Sequence, residues 1–78
     1  LFTKEKVILF PNPANNFIQV SGINKLEKYS IYDYLGKKVI NGIISSNEKI
    51  NIKTLTNGVY FLKLNNGHKV KFIKSEIN

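Results

Sequence analysis

The stretch Leu55-Thr56-Asn57-Gly58-Val59-Tyr60-Phe61-Leu62-Lys63-Leu64 decides how the rest of the chain reads. It opens on turn formers, with Gly58 able to take the positive φ that a side chain resists. Val59 to Leu64 is the richest β-forming run in the sequence. Tyr60, Leu62 and Leu64 share one face at period two, while Lys63 marks the other as solvated. Asn65-Asn66-Gly67 follows with the composition of a primed hairpin turn, and His68 to Lys74 reads as the returning strand. The stretch predicts a central hairpin punctuated at both ends.

Working outward, Val7-Ile8-Leu9-Phe10 is a compact apolar strand stopped by Pro11-Asn12-Pro13. Two prolines remove two backbone donors, and the second pushes Asn12 into extended geometry, so no central strand continues through them. Ile18 and Val20 point inward with Gln19 outward. Tyr29 and Ile31 share a face of a third strand, which ends at Asp33-Tyr34-Leu35-Gly36, a type I turn capped by the aspartate and closed by the glycine. Asn41-Gly42 reads as a turn or a break, and Ile50 and Ile52 alternate with Asn51 and Lys53. Seven strands fit, over residues 7–10, 16–21, 28–33, 37–43, 49–53, 59–64 and 69–74. No window has a helical period, and the regular spacing of turn signals is that of an all-β sandwich.

Seventy-eight residues make one domain. We divide it into a lead-in over residues 1–6, a folded body over 7–74 and a tail over 75–78. A body this small buries a modest core and has no cysteine to staple it. The chain begins at Leu1 without an initiating methionine or a signal segment, so it is expected to be a piece of something longer. No apolar run reaches the roughly 18 residues of a membrane span, so direct membrane insertion is not expected.

The net charge of +7 comes from twelve lysines and no arginine. The lysines are spread singly between apolar residues, as on solvent faces and protected edges of β-sheets. Without arginine there is no bidentate fork for phosphate or guanine, so nucleic acid is not an expected partner. His68 is the only histidine, and with no cysteine it cannot assemble a metal site, so no metal or cofactor is expected. The hydroxyl residues lack a base to activate them, and Asp33 sits where turns want one, so no catalytic residue is assigned. Gly36, Gly58 and Gly67 are spaced as hairpin ends, not as a phosphate loop. The four tyrosines divide into core residues, Tyr29 and Tyr60, and turn covers, Tyr32 and Tyr34.

Three blocks in order resemble a known family, the C-terminal sorting domain of type IX secretion substrates (the Por secretion system type A domain) of Bacteroidota. The first is Leu9-Phe10-Pro11-Asn12-Pro13-Ala14-Asn15-Asn16, similar to the family's apolar strand running into Pro-Asn-Pro-Ala. The second is Tyr32-Asp33-Tyr34-Leu35-Gly36-Lys37-Lys38-Val39, similar to its aromatic-Asp-x-x-Gly hairpin. The third is Leu55-Thr56-Asn57-Gly58-Val59-Tyr60-Phe61-Leu62, followed by the basic, apolar closing strand Lys69 to Lys74. The likeness covers Val7 to Lys74, and the chain departs from it by continuing through Ser75-Glu76-Ile77-Asn78.

The resemblance implies a seven-stranded immunoglobulin-like antiparallel β-sandwich attached to an upstream cargo. It implies passage from the periplasm to the cell surface or medium, recognition by an outer-membrane shuttle protein, and removal by a surface sortase, with the cut among Leu1–Lys6 or upstream. Pro11, Asn12, Pro13, Asp33, Gly36, Gly58 and Tyr60 are its motif residues here. Partner recognition is expected on the last strand, at Lys69, Lys71, Phe72, Ile73 and Lys74, where an edge strand can present a charged strip or accept another strand. The alternatives are a carbohydrate- or surface-binding module, which needs an uncovered aromatic cluster, a cationic nucleic-acid binder, and a structural spacer.

Overall fold

The computed structural model describes residues 6–76, and all of their regular structure is β. Seven strands follow in chain order: β1 (Ile8–Phe10), β2 (Phe17–Ser21), β3 (Glu27–Asp33), β4 (Lys38–Ile44), β5 (Lys49–Asn51), β6 (Gly58–Leu64) and β7 (Lys69–Lys74). They form a three-stranded sheet in the order β1-β2-β5 and a four-stranded sheet in the order β4-β3-β6-β7. Every strand pairing is antiparallel. This is the expected immunoglobulin-like sandwich, with β4 beside β3 rather than on the first sheet as in the constant-type arrangement. Residues 1–5 of the lead-in and the last two residues of the tail lie outside the described residues.

The two inner faces make one core. Leu9, Ile18, Val20 and Ile50 come from the first sheet, and Ile31, Ile44, Leu62, Leu64 and Phe72 from the second. Each such side chain, removed from water, stabilises the fold by about 1.5–3 kcal/mol. The alternation expected along β2 and β6 holds: Ile18, Val20, Tyr60, Leu62 and Leu64 are buried, while Phe61 and Lys63 are exposed. β6 is an inner strand, paired with β3 on one side and β7 on the other, so the run Val59 to Leu64 is central to its sheet.

Four local expectations are corrected. The turn expected over Leu55 to Gly58 lies earlier, where the Leu55 amide donates to the Ile52 carbonyl at 3.0 Å. The cause is Asn51, whose side-chain oxygen takes the Lys53 amide at 2.9 Å and so ends β5 at Asn51 instead of residue 53. Asn65-Asn66-Gly67 is not a primed turn. The Gly67 amide donates to the Leu64 carbonyl at 3.0 Å, the Leu64 amide donates to the His68 carbonyl at 2.9 Å, and Gly67 alone takes a left-handed φ of +99°. This is a type I turn with a glycine bulge, the same device found at Asp33 to Lys37. Asn41-Gly42 neither turns nor breaks the chain but lies inside β4, where Gly42 is opposite Tyr29. A Cβ there would stand 3.0 Å from the tyrosine ring, so the glycine makes room for the aromatic to lie across the neighbouring strand.

Candidate functional site

β7 is an edge strand, paired with β6 alone within its sheet. Its side chains alternate: Lys69, Lys71 and Ile73 are exposed, whereas Phe72 is fully buried and Lys74 is 2% exposed. Of the five residues expected to meet a partner, three therefore face solvent and two are held in the packing. Phe72 stacks on Tyr60 with ring centroids 5.8 Å apart, locking the strand to the core.

The bond from Leu64 to His68 fixes which backbone groups of β7 face β6. By the alternation of antiparallel pairs, Lys69, Lys71 and Ile73 turn their N–H and C=O groups to the open edge. The Pro11-Asn12-Pro13 segment closes part of that edge. The Ile73 amide donates to the Asn12 Oδ1 at 3.0 Å, and the Asn12 Nδ2 donates to the Lys71 carbonyl at a longer 3.4 Å. Next, the Ala14 amide donates to the Ile73 carbonyl, and the Ser75 amide donates to the Ala14 carbonyl, both at 2.8 Å. Both bonds preceding the prolines are cis. A proline has no amide to offer an edge, so the asparagine between them supplies a donor and an acceptor from its side chain. The segment thus works as a short substitute strand. Sequence reasoning weighed it as a rigid stop for β1, the favoured reading, or as part of a recognition surface; the missed signal is a lone amide side chain between two donor-less residues.

The other motif residues hold the same end of the sandwich. Asp33 Oδ1 accepts the Leu35 and Lys37 amides at 2.9 Å each, and Gly36 has a φ of +85°, which builds the β3–β4 hairpin as expected. Register sets Asp33 opposite Tyr60 and Tyr60 opposite Phe72. The Tyr60 hydroxyl donates to the Thr56 carbonyl at 2.7 Å, a corner tie between a strand and the chain that enters it. Gly58 pairs with Lys74 at a φ of +155°. Blocks far apart in sequence therefore meet along β6 and β7.

His68 is half-buried, its ring nitrogen Nδ1 2.9 Å from Asn66 Oδ1. Among the described residues no three His, Cys, Asp or Glu side chains lie together. Burial, and then the Glu48 carboxylate, push the Tyr29 hydroxyl above the usual tyrosine value.

The chain is a small immunoglobulin-like sandwich with an edge strand, basic side chains on one face, and motif residues that build turns and edges. Residues 8–77 match the family of secretion system C-terminal sorting domains, and the chain belongs to that family. It is a C-terminal sorting signal for type IX secretion, which acts on cargo in the same chain and directs it to the cell surface or the medium. No curated protein and no solved structure matches the chain significantly.

Proposed function

We propose that the folded domain is read in the periplasm by an outer-membrane shuttle protein of the type IX system and is then removed by a surface sortase. The observation that supports this most is the build of β7: an edge strand anchored by Phe72 that offers Lys69, Lys71 and Ile73 to solvent. A strand fixed on one face and exposed on the other lets a partner bind without paying to order it. On this reading the domain is an address and not an enzyme, and it takes no metal or cofactor. The cut falls among residues 1–6 or upstream, which leaves the sandwich intact as it is discarded.

The test follows one cargo through two strains, one with a working translocon and one without. A reporter with a periplasmic signal peptide and residues 1–78 at its C-terminus is weighed by mass spectrometry in each compartment. The expected result is full-length fusion in the periplasm of the deficient strain and a shortened reporter outside the competent one. Full-length fusion outside the competent strain would remove the sortase step, and its absence from the deficient strain's periplasm would remove the transit step.

A further inference from the structure

The outward face of the four-stranded sheet carries side chains that neither the core nor the turns use. Register sets Tyr32 opposite Lys38 on one side and Phe61 on the other, with Phe61 opposite Lys71. The adjacent row runs from Asn41 through Ser30 and Lys63 to Lys69. The face thus has two aromatics at its centre and lysines at its rim. Phe61 is 38% exposed and the neighbouring Tyr34 is 74% exposed. A hollow of about 440 Å³ lies over them, lined by Tyr32, Tyr34, Phe61, Lys63 and Lys69 with Asp33 at one end.

Lys28, Lys38, Lys63, Lys69 and Lys71 point outward, five of the chain's twelve lysines, and among the described residues no carboxylate stands beside them to compensate the charge. Asp33, at the margin, already accepts two backbone amides in its turn. Lys63 lies directly opposite Lys69, in a pair whose backbones do not bond, where side chains come closest. Like charges in that position destabilise a sheet. A small domain that keeps such a pair beside exposed aromatics carries a cost that an anionic partner would relieve.

We infer that this face docks an acidic protein surface, one that lays an apolar side chain over Tyr32 and Phe61 and sets carboxylates against Lys63 and Lys69. An aromatic centre within a charged rim is the anatomy of a protein contact. The inference rests on the sorting reading and names the chemistry of the partner. It widens the contact from β7 to the whole sheet face.

The distinguishing variant is Lys69→Glu, which places an attractive pair where a repulsive one stood. It raises the melting temperature while it weakens docking, a split that a merely structural lysine does not produce. The probe is a synthetic peptide with a phenylalanine between pairs of glutamates, followed by amide shifts in the isotope-labelled domain, beside its glutamine counterpart. The glutamate peptide is expected to shift Tyr32, Phe61, Lys63 and Lys69, to bind at least about tenfold more weakly to Lys69→Glu, and to lose affinity as salt rises. No shifts, shifts on the other sheet, or equal binding of the glutamine peptide overturns the inference. Tighter binding on this face by a polyuronate or a single-stranded oligonucleotide also overturns it, in favour of a glycan or nucleic-acid site. In cells, export of the wild-type fusion with loss of export for a folded Lys69→Glu fusion supports it. Equal export of both overturns it alone, whereas failure of the wild-type fusion overturns the sorting reading beneath it.

Discussion

Gly22 and Tyr60 hold the sandwich at positions where a single atom decides the outcome. Gly22 closes β2 at a φ of +91°, and a Cβ there would overlap the Lys6 carbonyl oxygen. Backbone cannot yield as a side-chain tip does, so Gly22→Ala is expected to cost roughly 1–3 kcal/mol, read from the denaturation midpoint. Gly58, to which the sequence points first, has only the Tyr60 ring at 4.0 Å from such a Cβ. The close passage of Lys6 past Gly22 is a tertiary event, and nothing within a few residues of Gly22 announces it. Tyr60→Phe keeps the ring on Phe72 and removes the bond to Thr56; we expect a loss of about 0.5–1.5 kcal/mol by the same measurement. Tyr29 supplies a pH signature. Its hydroxyl holds its proton more tightly when folded than unfolded. Above the ordinary tyrosine value of about 10 the unfolded chain therefore binds fewer protons, and stability falls as pH rises through the folded value. A Tyr29→Phe domain is expected to show a shallower alkaline loss in melting temperature, and an unchanged slope would contradict the assignment.

At the scale of elements, the edge of β7 is protected by chemistry rather than by another strand. Asn12→Ala removes the acceptor for the Ile73 amide and the donor to Lys71, and is expected to cost about 1–2 kcal/mol. The more specific readout is hydrogen exchange: the Ile73 amide should lose protection while the Leu62 amide, in the inner strand β6, keeps it. Equal protection of Ile73 before and after the substitution would show that Asn12 does not guard the edge. The strands themselves were legible, because alternation of apolar and polar residues over β2, β6 and β7 is a local property. Turn types were less so: Asn65-Asn66-Gly67 fits two hairpin geometries, and loop length decides between them. Asn41-Gly42 carries turn composition but stays extended, because Tyr29 on the neighbouring strand needs the space over Gly42. Lys74 looked like surface and is buried, since Ala14 bridges to it from a segment far away in sequence.

At the scale of the whole molecule, the sequence blocks that carry the family likeness turn out to be mostly structural. Asp33, Gly36 and Tyr60 build turns and corners, Asn12 guards an edge, and the side chains left for partners are the lysines and aromatics between them. The candidate site was legible as far as Lys69, Lys71 and Ile73, because they lie on one alternating strand. Its extension to Tyr32, Phe61 and Lys63 depends on which strands are neighbours, and β3 meets β6 only through a non-local pairing. The measurement that bears most directly on the account is sufficiency for export. A folded reporter with a periplasmic signal peptide carries residues 1–78 at its C-terminus, beside a version stopped before Lys69. In a bacterium with a type IX system the full fusion is expected to reach the surface or the medium. The shortened one, deprived of β7 and its Phe72 anchor, should stay in the periplasm. If both remain in the periplasm, or both leave it, the folded sandwich with its last strand is not the address.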